Sequence, residues 1–261
     1  MKNKFQLIAI FFLLAGCKNE VDISKEIPGA YSLTQQDIRH GETQNTLKDL
    51  KQMKFYTGTH FMYTQINPQD SVSAFGVGTY DTREDTLSEH VLYSSSGATF
   101  NDQPISYNLG IKITPEGYTQ KINGIVINGD TSTLTELYSR VKEKDTARLD
   151  GVWKEQKSYL VNGKDTTVYQ RTQFKSFFDG YFMFGSTSKD SVGKTVTNMG
   201  YGTFKMVSDK QFSETDLNSS LPFVAGNTFT IDYVFTDNDH YSQSITNPDG
   251  SKSFEFYERL K

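Results

Sequence analysis

Gly151-Val152-Trp153 and Phe254-Glu255-Phe256-Tyr257-Glu258-Arg259-Leu260 open and close the stretch that decides the fold, Leu149 to Leu260. A degenerate copy of this stretch occupies Ile27 to Val141. A repeat of this kind indicates that one structural unit occurs twice in tandem. The 261-residue chain therefore predicts two domains of similar size, each large enough to bury a core of its own.

The repeat rests on several blocks that recur in the same order. The spacing between matching blocks drifts by only a few residues, as loop insertions between fixed strands would produce. The matching pairs are Gly29-Ala30-Tyr31 with Gly151-Val152-Trp153, Phe61-Met62-Tyr63 with Phe182-Met183-Phe184, Gly76-Val77-Gly78 with Gly200-Tyr201-Gly202, Leu87-Ser88-Glu89 with Phe212-Ser213-Glu214, Tyr118-Thr119-Gln120 with Tyr241-Ser242-Gln243, and Glu136-Leu137-Tyr138 with Glu255-Phe256-Tyr257.

Alternation of apolar and polar residues identifies the secondary structure. One segment of each copy places an apolar residue at every second position, which is typical of a strand with one buried face. These residues are Ile105, Tyr107, Leu109, Ile111 and Ile113 in the first copy and Phe229, Ile231, Tyr233 and Phe235 in the second. Turn signals such as Asn162-Gly163 and Asp179-Gly180 separate other apolar runs and predict hairpins.

The spacing of these signals predicts about eight short strands in each copy. The predicted fold class is all-β, with two tandem eight-stranded antiparallel β-barrels and a two-sheet sandwich as the alternative. The barrels are expected over residues 27–142 and 149–261. Thr46 to Lys54 could instead form a short helix, because apolar residues fall three apart there, but the repeat favours a strand.

The N-terminus has the pattern of an export signal. Lys2 and Lys4 precede an apolar run that is too short to span a bilayer, and Leu14-Ala15-Gly16-Cys17 resembles the bacterial lipobox. Cys17 is the only cysteine. The resemblance implies a signal peptide over residues 1–16, a lipid on Cys17 and a tether over residues 17–26. We therefore expect an envelope protein that the lipid anchors to a membrane. Both the periplasmic face and the surface face of the outer membrane are possible locations.

Charge restricts the choice of partner. The chain has a formal net charge of −4, and removal of residues 1–16 takes away two lysines and no acidic residue. An acidic chain without a cluster of basic residues is a poor ligand for nucleic acid. Nucleic acid is therefore excluded as an expected partner, whereas the membrane, a small hydrophobic ligand or an envelope protein remain possible.

The chain offers little for catalysis. No Gly-x-Ser-x-Gly elbow is present, and the histidines occur singly, without metal-ligand spacing, at His40, His60, His90 and His240. Gly76-Val77-Gly78 and Gly200-Tyr201-Gly202 lack the lysine of a phosphate-binding loop, and a strand bulge explains them better. We expect a non-enzymatic protein with no metal and no cofactor.

The second copy resembles the lipocalin-like domain of bacterial lipoproteins of the Bacteroidetes type, and the first copy resembles it more faintly. The motifs that carry the resemblance are Gly151-x-Trp153, Lys175 leading into Asp179-Gly180-Tyr181-Phe182-Met183-Phe184, Gly200-x-Gly202-Thr203, Ser213-Glu214 and Tyr257-x-Arg259-Leu260. The resemblance implies barrel closure by Arg259 lying across Trp153. In the first copy Tyr31 and Arg140 would take these roles.

Two functions remain open at this stage. Each barrel could enclose a small apolar or amphipathic ligand, contacted by the inward-facing residues Tyr107, Leu109, Ile111, Phe229, Ile231, Tyr233 and Phe235. Alternatively, aromatic side chains fill both barrels, and the protein is a structural or protein-interaction module of the cell envelope. Glu89 and Glu214 recur at matching places and are expected to form scaffold ion pairs with Arg140 and Arg259.

Overall fold

Two closed antiparallel β-barrels follow one another along the chain. The structure is a computed structural model that describes residues 22–83, 86–96, 99–127, 129–141 and 146–261. The strands of the two halves form separate sheets, and each sheet closes because its first strand also pairs with its last. Among the described residues, no helix is both long enough and apolar enough to cross a membrane.

The first barrel is built from nine β segments that fill eight positions. Segments β2 and β3 both pair with the same edge of β1, so together they act as one interrupted strand. The predicted eight-stranded barrel is therefore confirmed, and the helix considered for Thr46 to Lys54 is wrong. The segments are β1 (Gly29–His40), β2 (Thr43–Leu47), β3 (Lys51–Tyr56), β4 (His60–Ile66), β5 (Ser73–Arg83), β6 (Thr86–Ser94), β7 (Thr99–Thr114), β8 (Gly117–Ile127) and β9 (Asp130–Arg140).

The second barrel repeats this plan, again with an interrupted second strand. The turn predicted at Asn162-Gly163 lies one residue later, because Asn162 still pairs with Asp165 in the strand ladder. The segments are β10 (Gly151–Asn162), β11 (Asp165–Val168), β12 (Arg171–Phe178), β13 (Tyr181–Lys189), β14 (Thr195–Ser208), β15 (Gln211–Ser219), β16 (Thr228–Phe235), β17 (His240–Thr246) and β18 (Lys252–Arg259).

The paired glycines of both copies sit at strand irregularities. The pairing of β5 with β6 shifts between Val77 and Gly78, and the pairing of β14 with β15 shifts between Tyr201 and Gly202. A Cβ on Gly202 would lie 1.9 Å from the carbonyl oxygen of Thr215. Only glycine permits this close approach of two backbones, so these motifs bend the barrel wall and do not form a phosphate-binding loop.

A short helix precedes the first barrel. Helix α1 (Ile23–Glu26) starts at Asp22, whose side chain accepts a hydrogen bond from the Ser24 amide. Ile23 and Ile27 are buried in the core of the first barrel. Residues 22–26, which the sequence assigns to the tether, are thus docked on the barrel. The expected signal peptide and Cys17 lie outside the described residues.

Each barrel is closed at one end by an arginine that lies over an aromatic ring. The Arg259 guanidinium is 4.0 Å from the centre of the Trp153 ring, and that of Arg140 is 4.8 Å from the Tyr31 ring. Both rings are fully buried. A cation over an aromatic face contributes about 0.5–2 kcal/mol, so this contact adds to the burial of each ring.

The same arginines also bind the segment that enters each barrel. Arg140 donates hydrogen bonds to the carbonyls of Pro28 and Glu26, and Arg259 donates to those of Asp150 and Arg148. A Cβ at the first residue of β10, Gly151, would lie 2.3 Å from the Arg259 guanidinium. The Gly-x-aromatic motif is therefore explained: the glycine leaves room for the arginine that covers the aromatic residue two positions later.

A hydrophobic core joins the two barrels. Phe174 of the second barrel packs between Phe75 and Tyr93 of the first, with ring centres 6.4 and 5.2 Å apart. Equivalent residues of the two copies, such as Met62 and Met183, belong to this same cluster. The interface thus uses matching faces of both copies, as in an isologous dimer.

We expect Phe75→Ala to lower the free energy of unfolding by about 3–5 kcal/mol, the usual cost of removing a fully buried phenylalanine ring. Phe75 is 0% exposed in the interbarrel core. Urea denaturation would measure the change. Phe223→Ala is the matched control, since Phe223 is 74% exposed and its loss should cost no more than about 0.5 kcal/mol. Equal effects of the two substitutions would contradict a packed interface.

Candidate functional site

The first barrel contains a cavity of about 440 Å³. This volume lies within the range of about 300–1,000 Å³ that is typical of small-molecule sites. Its apolar lining includes Val91, Ile105, Ile122, Ile125, Val126 and Leu134, and its polar lining includes Gln36, Gln52, Lys54, Glu89, Gln120 and Glu136. Ile105 and Val126 are more than half exposed and mark the open mouth.

A buried ion pair forms one part of the polar lining. Lys54 Nζ lies 2.5 Å from Glu89 Oε1, and both side chains are almost completely buried. The Tyr56 hydroxyl donates a second hydrogen bond to the same oxygen. The rings of Tyr56 and Phe61 lie 5.1 and 5.3 Å from the ammonium. These contacts fix the lysine in the barrel interior.

This geometry corrects the expected pairing of Glu89 with Arg140 and of Glu214 with Arg259. The partner of Glu214 is Lys175, at 2.6 Å. Both lysines lie on the strand next to the first strand of their barrel. Lys54 pairs with Tyr31, and Lys175 pairs with Trp153. The arginines lie at the barrel end and use their donors on backbone carbonyls, so they do not reach the glutamates in the interior.

Glu136 forms the second polar feature of the cavity. It is 5% exposed and accepts hydrogen bonds from three neutral donors. Gln36 Nε2 lies 2.8 Å from Oε1, while Gln120 Nε2 and the Tyr138 hydroxyl donate to Oε2. No lysine or arginine of the described chain lies within 4.0 Å of this carboxylate, although the chain makes such pairs elsewhere.

In the second barrel the equivalent place is occupied by an arginine. Arg171 Nη2 lies 2.7 Å from Glu155 Oε1 and 2.8 Å from Glu255 Oε1. Burial raises the pKa of Glu255, but the charges of Arg171 and Lys175 outweigh this effect and hold it below its ordinary value. Strand register makes Glu255 the counterpart of Glu136.

The arginine has no counterpart in the first barrel. Gln52 and Gln173 are equivalent, and the residues two positions earlier are Leu50 and Arg171. Likewise Leu33 pairs with Tyr138 where Glu155 pairs with Tyr257. Leu33 and Leu50 are buried in the core of the first barrel. The two copies therefore differ by a whole, partly buried Arg171–Glu155 pair.

The residues predicted to contact a ligand fall into two groups. Tyr107 lines the cavity of the first barrel, whereas Leu109 and Ile111 belong to or pack against its core. Phe229, Ile231, Tyr233 and Phe235 join or pack against the core around Trp153. The Phe235 and Tyr241 ring centres lie 6.1 and 4.7 Å from the Trp153 ring centre. These side chains fill the second barrel near its closed end.

Glu136 and its donors were missed at the sequence level. The signal was present, because Glu136-Leu137-Tyr138 repeats as Glu255-Phe256-Tyr257 and Gln120 repeats as Gln243. A charged or amide residue that recurs on the apolar face of a strand indicates a buried polar cluster. The alternation on the last strand shows its inward face but not which partner meets it across the barrel.

A smaller cavity of about 280 Å³ lies between the barrels. It is lined by residues of both copies, including His60, Val152 and Arg259. Burial lowers the pKa of His60, which favours the neutral ring at neutral pH. Within the described part of the chain, no group of three or more His, Cys, Asp or Glu side chains could hold a metal ion.

The strand order, with the first strand of each sheet pairing with its last, defines a protein of two tandem eight-stranded antiparallel β-barrels. A family model described as a domain of unknown function, DUF4488, matches residues 148–261, which is the second barrel. No curated protein matches the chain in sequence.

Solved structures that match this chain include a lipocalin-like protein from Bacteroides uniformis, with 9% identity, a TM-score of 0.30 and coverage of 44% of this chain and 99% of that one. A protein of unknown function from Nostoc punctiforme has 12% identity, a TM-score of 0.28 and coverage of 91% and 97%. Transferrin Binding Protein B from Haemophilus parasuis has 8% identity, a TM-score of 0.25 and coverage of 83% and 54%. Residue roles are therefore assigned from this chain's own contacts.

We expect the free energy of unfolding of the second barrel to change with pH because of Asp216. Burial, with the nearby Glu214 charge, raises the pKa of Asp216 from 3.8 to about 7. The unfolded chain therefore releases this proton before the folded chain does, and the folded state loses stability as pH rises from 3.8 to about 7. Asp216→Asn should flatten this loss in urea denaturation measured across that range.

Asp209→Asn is the control for this measurement, because Asp209 is exposed in a turn. It should leave the pH dependence of the wild-type chain unchanged. If the Asp216 variant loses as much stability over this pH range as the wild-type chain, burial of Asp216 does not control the effect.

Proposed function

We propose that this is a lipid-anchored envelope protein whose first barrel binds a small amphipathic molecule. The single observation that carries the proposal is the cavity of about 440 Å³. It combines apolar walls with a cluster of buried polar groups, the usual design of a site that orients one end of a ligand. The proposal involves binding and no chemical reaction.

The second barrel supports the first and is not proposed to bind the ligand. Its interior carries the Arg171 side chain, bonded to Glu155 and Glu255, together with a Lys175–Glu214 pair. Its outer face supplies five of the twelve buried residues of the interbarrel core. The structural role considered as the alternative for the whole chain therefore fits the second barrel best.

The anchor belongs to the same proposal. It rests on the lipobox-like Leu14-Ala15-Gly16-Cys17 after a short basic and apolar run. Two or three acyl chains on one cysteine would hold the protein firmly at a membrane, because each buried methylene contributes about 0.8 kcal/mol.

Ligand binding is tested by filling the cavity. Val91 lines the cavity and packs against the core, so Val91→Phe should weaken binding of a long-chain alcohol such as decanol at least about ten-fold, or about 1.4 kcal/mol. Isothermal titration calorimetry measures the change. Val234→Phe is the control, since Val234 is 60% exposed on the second barrel. Unchanged binding by the Val91 variant would show that the alcohol does not enter the cavity.

Anchoring is tested at Cys17. After growth with a radiolabelled fatty acid, the wild-type chain should carry label and sediment with membranes. Cys17→Ser should carry none and should appear in the soluble envelope fraction. Incorporation of label by the Cys17→Ser chain would place the lipid elsewhere and contradict the assignment of the lipobox.

A further inference from the structure

The two barrels place a glutamate at the same position but surround it with different partners. In the second barrel, Glu255 accepts hydrogen bonds from Gln243 and Tyr257 and also contacts the Arg171 guanidinium. In the first barrel, Glu136 keeps the equivalent glutamine and tyrosine donors. It lacks the cation, because leucine replaces arginine at the equivalent position.

Gln36 satisfies part of what the missing arginine would supply. Its amide donates one hydrogen bond to Glu136 Oε1 at 2.8 Å. A carboxylate offers about four lone-pair sites, and the three neutral donors occupy three of them. The fourth site and the negative charge are unmatched within the described chain, although the residue is 5% exposed.

The glutamates of the second barrel show how this fold treats a buried carboxylate. Glu214 contacts Lys175, while Glu155 and Glu255 both contact Arg171. In the first barrel, Glu89 contacts Lys54 in the same way. Burial of an ionised carboxylate without an opposite charge is strongly unfavourable. Glu136 therefore stands out, and it lines the cavity.

We infer that the ligand of the first barrel carries a cationic amine or amidine head, which pairs with Glu136 as Arg171 pairs with Glu255 in the second barrel. This inference rests on the proposed function and specifies its ligand class. The apolar body of the ligand lies along Ile122, Ile125 and Leu134 toward the mouth. The second barrel thus carries, as part of its own chain, the group that the first barrel takes from a ligand.

An anionic head is disfavoured by the same contacts. Lys54 is the cation of the cavity, and Glu89 already holds its ammonium at 2.5 Å. Gln120 Oε1 accepts a further hydrogen bond from it at 3.3 Å. The described part of the cavity lining carries Glu89 and Glu136 against Lys54 alone, so a ligand carboxylate would add a third negative charge.

The test compares three probes with one alkyl chain: decylamine, decanol and decanoate. Isothermal titration calorimetry on the full chain with Cys17→Ser should give a Kd for decylamine at least about ten-fold lower than for decanol, with decanoate weakest. Glu136→Gln, which keeps the shape of the side chain, should bring the amine to the level of the alcohol and leave the alcohol unchanged.

Glu255→Gln is the matched control in the second barrel and should leave the preference for the amine intact. A second variant, Leu33→Glu with Leu50→Arg, transfers the internal arginine into the first barrel and should abolish the preference. Thermal unfolding checks that each variant is folded.

The outcomes separate the two proposals. If decanol or decanoate binds as tightly as decylamine, or if Glu136→Gln leaves the amine preference unchanged, the cationic head is wrong while the ligand cavity stands. If none of the three probes binds, the proposed function fails and the inference fails with it.

Discussion

An ionised carboxylate or ammonium that is buried in a barrel is stabilised by a partner of opposite charge, and this constraint shapes both interiors. The Lys54–Glu89 and Lys175–Glu214 pairs satisfy it at equivalent places. Replacement of such pairs by apolar residues is often neutral for stability. The pairs recur in both copies, and aromatic rings pack around each ammonium.

The two copies differ most at Arg171, an additional cation that only the second barrel has. Arg171 joins Glu155 and Glu255 and takes up space inside the second barrel. In the first barrel the corresponding leucines pack into the core, and Glu136 lines the cavity without an arginine beside it. In the proposed function, the second barrel stabilises the molecule and the first binds the ligand, while the shared interbarrel core holds the two copies together.

The sequence predicts the architecture well because its signals are local. Strand alternation, turn residues and the repeat are all read along the chain, and together they give two eight-stranded barrels. The interior pairs are not local: Lys54 and Glu89 lie on strands that are separated by two others around the barrel. Alternation shows that both side chains face inward but not that they meet, so the sequence alone predicts Arg140 as the partner of Glu89 from the place of Glu89 in a motif.

The cavity could be predicted only in part for the same reason. Ile231 and Tyr233 have the alternation of a ligand-binding strand, but Trp153 and Tyr241 fill the space in front of them. In the first copy the matching ring is Tyr31, which is smaller, and Arg171 has no counterpart. Whether a barrel is hollow depends on the sum of side-chain volumes from all strands, and no single segment reveals it.

Helix α1 restricts how the protein can stand on a membrane. Ile23 is buried in the first barrel, so only residues 18–22 separate it from Cys17. An extended chain covers at most about 3.6 Å per residue, so the segment from Cys17 to Ile23 can span at most about 20 Å. With the proposed lipid on Cys17, the end of the first barrel that Arg140 closes would lie next to the bilayer. The first barrel would stay close to the lipid headgroups, whereas a protein on a long linker can move far from them.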